Sequence, residues 1–121
     1  MEINVRLGET DPYGVVNNSE YFTYFEIARL DYAEKCGKTI DEMFSGTVVN
    51  MTLSAECKYV KPCRLGDVIF IKTTMKPHIL YCTYEFNQWI YNKQTNELLA
   101  CAKFKTAELC LETHKILKWN L

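Results

Sequence analysis

Two periodicities divide the chain. Between residues 49 and 59 the odd positions read Val, Met, Leu, Ala, Cys, Tyr, and the even positions from 50 to 58 read Asn, Thr, Ser, Glu, Lys. A period of two predicts a long strand with one buried and one polar face. Upstream the period is helical: Tyr21, Tyr24, Phe25, Ala28 and Tyr32 form a stripe, predicting a helix over about 19–36. Phe22, Ile27, Leu30 and Ala33 widen that stripe beyond a surface helix's usual apolar face, so other structure should wrap this helix. Asn18 or Ser19 is the expected cap, Glu20 and Glu26 lie toward the positive end, and Gly37 is the expected stop. Asp31 and Lys35 are spaced for an i,i+4 pair.

Residues 2–7 alternate weakly, as a short opening strand would. Asp11-Pro12-Tyr13-Gly14 has the residues of a type I turn in order. A short helical turn is expected over 39–44. After a turn at 61–67, strands are expected at 67–76, 79–92 and 97–110, with residues 92–96 as a hairpin loop. A last short strand is expected at 116–119. The order predicts an α+β fold: a curved antiparallel sheet of five to six strands wrapped around one long central helix. With no repeat or linker, residues 1–121 read as a single domain.

Composition narrows the function. The 121 residues carry 14 Lys and Arg against 15 Asp and Glu, a net charge of −1, which speaks against nucleic acid as a partner. Six cysteines and two histidines show no C-x-x-C pair, so no metal site is expected. The first residues lack a basic segment followed by an apolar one, and no apolar run could span a bilayer. The expectation is a cytoplasmic protein without membrane insertion, its cysteines reduced and mostly buried.

Asp11 is the leading candidate for chemistry. At the head of a Pro-Gly turn it would, on spacing alone, simply bond its own backbone. It also lies seven residues before an apolar helix whose first N–H groups attract negative charge. A thioester carbonyl placed there would meet an oxyanion site beside a carboxylate nucleophile or base. Glu26 reads as a helix residue paired with Arg29, and Glu56 as a polar-face carboxylate of its strand. His78 and His114 read as surface residues. Lys58, Lys61 and Arg64 are either a solvated turn or a contact for phosphates. Cys63, beside Arg64, has no nearby His and is not expected to act as a nucleophile, although Arg64 could lower its pKa.

The run Gly8-Glu9-Thr10-Asp11-Pro12-Tyr13-Gly14-Val15-Val16-Asn17-Asn18, followed by Tyr21, Tyr24-Phe25-Glu26 and Ala28-Arg29, resembles the N-terminal motif of hotdog-fold thioesterases of the 4-hydroxybenzoyl-CoA thioesterase-like family. Residues 59–67 resemble the exit of that family's second strand. The resemblance implies that Asp11 is the catalytic carboxylate and that the backbone N–H of Asn18 polarises the thioester carbonyl. It implies that Tyr13, Val16 and Asn17 shape the pocket, with Lys61 and Arg64 toward coenzyme A. Residues 8–36 contain no His, whereas hotdog dehydratases pair a His with an acid.

The implied activity is hydrolysis of an acyl-CoA, without cofactor beyond the coenzyme A of the substrate, in a homodimer or homotetramer. A related branch uses a helix Glu in place of the loop Asp, which keeps Glu26 as a second candidate. Two rival readings stand beside this one. One is an acyl-carrier-protein thioesterase of a polyketide or fatty-acid pathway. The other is a non-enzymatic acyl-binding hotdog module, disfavoured because such sensors are usually fused to a DNA-binding domain and 121 residues leave no room for one.

Overall fold

The computed structural model describes residues 1–37 and 46–119. Its elements run β1 (Glu2–Asn4), a 3₁₀ turn (Leu7–Glu9), α1 (Asn18–Lys35), β2 (Val48–Tyr59), β3 (Val68–Pro77), β4 (Thr83–Asn92) and β5 (Leu98–Cys110). Five strands form one antiparallel sheet in the order β1-β3-β4-β5-β2, and the sheet curls as a half-barrel around the helix. The turn expected at 39–44 falls outside the described residues.

The helix begins and ends within a residue of its predicted bounds. Tyr21, Tyr24, Phe25 and Ala28, three or four residues apart, are its buried face. They meet alternate residues of the sheet: Ile69 and Ile71 of β3, Ile90 of β4, and Ala100, Ala102 and Phe104 of β5. Burying one such aromatic or branched side chain is worth about 1.5–3 kcal/mol, so this contact is the main force holding helix to sheet. Asp31 and Lys35 pair at 2.9 Å as their spacing predicted.

Four expectations are corrected. The apolar positions of β2 are not buried: Met51 is 44% exposed, Leu53 50% and Tyr59 44%. Among the described residues β2 is an edge strand paired only with β5, a register shift between Thr52 and Ser54 breaks its alternation, and the helix packs chiefly along β3. The helix cap is Asn17, not Asn18 or Ser19, and its side chain caps nothing. β4 starts at Thr83 rather than 79. The His78 ring Nδ1 accepts the N–H groups of Leu80 and Tyr81 at 3.0 and 3.1 Å, which holds the preceding residues in a turn. The last strand is reduced to isolated bridges, Ile116 to Leu109 and Lys118 to Tyr81.

Candidate active site

The segment before the helix folds as its residues dictate. Asp11 accepts the N–H of Gly14 at its carbonyl (3.0 Å) and donates its own N–H to Val15 (2.8 Å). Gly14 sits at φ +77°, a left-handed conformation that glycine adopts without strain. The carboxylate Oδ1 accepts the N–H groups of Tyr13 (2.9 Å) and Val15 (3.3 Å). This is the local bonding expected of an Asp in a turn, and it fixes the carboxylate's direction. Among the described residues no donor reaches Oδ2, and Asp11 is half-buried.

A few residues on, the helix opens. Its first N–H groups have no acceptor within the helix, and the Asn17 amide supplies none. The N–H groups of Asn18 and Ser19 therefore stand as donors at the positive end of the helix dipole. Thr10 bridges to Val16, and Val16 donates its N–H to the carbonyl of Cys63 at 2.8 Å. Val15 bridges to Arg64, and Leu65 donates to the Gly14 carbonyl at 3.1 Å. The turn that ends β2 thus lies beside the Asp11 turn, with the exposed Arg64 next to it.

Two residues that sequence reasoning missed complete the neighbourhood. The Tyr59 hydroxyl, at the end of β2, donates to the Asn18 carbonyl at 3.2 Å, and its ring meets Tyr21 edge-on at 4.9 Å. Only the curl of the sheet brings residues 41 apart together, so no local pattern announced it. Glu9 is 9% exposed and accepts from Arg6 and Tyr24. Its signal was present in the i,i+3 spacing of Arg6 and Glu9.

The remaining candidates divide. Tyr13 is 86% exposed in the protomer, while Val16 is 4% exposed and part of the core. Lys61 forms an ion pair with Glu97, whereas the backbone of Arg64 bridges to Val15, so the two have different partners. Glu26 is exposed, and Arg29 bonds the side chain of Gln88 in place of a Glu26 bridge. Cys63 is fully buried, and burial pushes its thiol up, against any lowering by Arg64. None of the six cysteines is joined in a disulfide, and Cys63 and Cys82 alone among them are buried. Among the described residues no cluster of His, Cys, Asp and Glu could hold a metal, and no helix is long and apolar enough to cross a membrane. A cavity of about 290 Å³, lined by residues such as Glu56, Lys58, Trp89 and Lys103, includes no residue of the Asp11 turn or the helix.

Comparison with known proteins follows this geometry. A profile of the thioesterase-like superfamily matches residues 5–120. A protein of Aquifex aeolicus, provisionally named an esterase, is 29% identical over 112 residues, spanning 93% of this chain and 84% of its own. The chloroplastic acyl-acyl carrier protein thioesterase ATL3 of Arabidopsis thaliana is 28% identical over 103 residues, covering 85% of this chain and 54% of that protein. The crystal structure of a DHNA-CoA thioesterase from Staphylococcus aureus superposes with a TM-score of 0.88 at 25% identity, covering 98% of this chain and 78% of that one.

Proposed function

The chain belongs to the thioesterase-like superfamily, a thioester hydrolase with the hotdog fold, and from that membership we propose that its substrate is an acyl-CoA cleaved with Asp11 as the reactive carboxylate. One observation carries this reading. A carboxylate fixed by its own turn keeps Oδ2 open, and the same short segment leads into a helix start whose cap side chain leaves the first N–H groups unused.

The chemistry follows from that pairing. The thioester carbonyl oxygen sits at the Asn18 N–H, where the helix end stabilises the negative charge that develops on it. Oδ2 of Asp11 either attacks the carbonyl carbon or takes a proton from an attacking water. The tetrahedral intermediate collapses, the C–S bond breaks and coenzyme A leaves as the thiolate, which takes its proton from the Asp11 carboxyl in the second route and from solvent in the first. In the first route water then hydrolyses the acyl-aspartyl anhydride; in the second the free acid forms directly. Arg64, exposed beside the Asp11 turn, is the better placed of the two predicted cations to meet phosphate, because Lys61 is tied to Glu97.

A second copy of the chain completes the site. β2 presents twelve residues of edge strand with Met51, Leu53 and Tyr59 exposed, a surface that a partner's β2 would pair and cover. The cleft would then lie between protomers, with Asn17 and Tyr13 at its rim.

The likeness to ATL3 favours a second reading, in which the acyl group arrives on a carrier protein. Thiol release from a panel of aliphatic and aromatic acyl-CoAs, run beside the same acyl groups on an acyl carrier protein, separates the two. Faster release from the CoA esters is the expected result. Release from the carrier alone would replace the substrate, and release from neither would remove the activity.

A further inference from the structure

We propose that Glu9 is a positioning residue that holds Asp11 in register with the helix N-terminus, an inference that rests on the thioester-hydrolase reading. Glu9 is the most buried acidic side chain among the described residues, and it accepts four hydrogen bonds. Oε1 takes the N–H of Arg6 and the hydroxyl of Tyr24, both at 2.9 Å. Oε2 takes Nε and Nη2 of Arg6 at 3.1 and 2.8 Å. The Arg6 side chain is 78% exposed, so the cation stays in water while the carboxylate turns inward.

The backbone of Glu9 is tied as well. Its carbonyl accepts the N–H of Asn17, the helix cap, at 3.0 Å. Its neighbour Thr10 bridges to Val16, and Asp11 follows one residue later. One residue therefore joins three parts: by its side chain the second turn of the helix at Tyr24, by its carbonyl the helix entry, and by chain connectivity the Asp11 turn. Shifting Glu9 would move the carboxylate and the N–H donors relative to each other.

A purely stabilising role fits less well. An ion pair whose cation stays in water adds little to stability, and Val5 and Val16 show that apolar residues pack in this segment. What a fully satisfied carboxylate adds is directional bonding, which fixes geometry. A displacement of about 1 Å at a reacting group can cost about a hundredfold in rate.

The test uses the full chain with Glu9→Gln, which keeps the size of the side chain but sets an amide NH₂ against the Arg6 guanidinium. The expected result is a fall in kcat of at least about tenfold with KM within about twofold. Ile90→Val, a core change remote from Asp11, serves as the stability control: its Tm falls and its kcat stays at wild type. Tyr24→Phe removes only the tie to the helix. It moves kcat in the same direction by less, and keeps the idea testable if Glu9→Gln does not fold.

A second measurement needs no turnover. Amide hydrogen exchange at Tyr13, Val15 and Asn17 should rise at least about tenfold in Glu9→Gln while Ala102 in β5 stays unchanged. Wild-type kcat with unchanged exchange overturns the proposal. So does a loss of kcat no larger than the loss of folded protein. If the wild type releases thiol from no acyl-CoA or acyl carrier protein, the hydrolase reading fails alone, and the exchange data still decide whether Glu9 sets the loop.

Discussion

The Arg29 guanidinium donates to the side-chain oxygen of Gln88 at 2.9 Å, so the helix's half-buried cation and the sheet's fully buried amide satisfy each other. The Gln88 NH₂ donates to the Phe25 carbonyl at 2.9 Å and to the Thr73 hydroxyl at 3.0 Å. Arg29 also lies over the Phe104 ring at 4.0 Å. One amide thus latches the helix to β3, and the cation seals the ring below it.

Gln88→Leu keeps the volume and removes all three bonds. A buried acceptor and donor left unpaired cost about 1–3 kcal/mol, so the urea midpoint should fall by that amount divided by the m-value. An unchanged midpoint would show that the latch contributes nothing.

The Glu9 carboxyl gives stability a defined pH dependence. Burial pushes it up, but the bonds from Arg6 and Tyr24 outweigh burial and hold it below its ordinary value of 4.5. A carboxyl depressed in the folded state stabilises fully above its unfolded value, and that contribution fades as pH falls through the folded one. The stability gap between wild type and Glu9→Gln should be widest above about pH 5 and should narrow steadily as the pH is lowered past 4.5, as read by denaturant midpoints. A gap that widens on acidification would contradict this.

The exposed edge predicts assembly. Sedimentation should give a multiple of the 14.1 kDa chain mass for the wild type. Lysines in place of Met51 and Leu53 should shift it toward the monomer and lower turnover with it, because charge on an edge strand opposes pairing. A wild type that sediments as a monomer and turns over would place the whole site within one chain.

Thiol chemistry should be irrelevant to turnover. Hydrogen bonds from Thr113, backbone first, and then from Glu112 hold the Cys110 thiol below its ordinary value, and Cys36 is exposed. Alkylation should reach these two before the buried Cys63, and full modification of both should leave thiol release intact. Loss of activity in step with Cys110 labelling would give that cysteine a role.

Much of this was legible from residue order. The helix over Asn18–Lys35 follows from an aromatic stripe at three and four spacing, with Gly37 just past its end, although its cap falls one residue before the expected ones. The Asp11 turn follows from Asp, Pro and Gly at fixed positions. What was not legible depends on partners distant in sequence. Alternation cannot tell an edge strand from a central one, so β2 reads as half-buried although Met51, Leu53 and Tyr59 stay exposed among the described residues. Glu26 and Arg29 have the spacing of an ion pair, but Gln88, 59 residues away, takes the guanidinium. Tyr59 reaches the helix start only through the curl of the sheet.

The account rests on the Asp11 carboxylate beside the helix N-terminus, and Asp11→Asn tests it most directly. The variant keeps the acceptor toward the Tyr13 and Val15 N–H groups, so its Tm and assembly should match the wild type. With an amide in place of the nucleophile or base, kcat for acyl-CoA thiol release should fall by about a hundredfold or more. A folded Asp11→Asn protein that releases thiol at the wild-type rate would contradict the account.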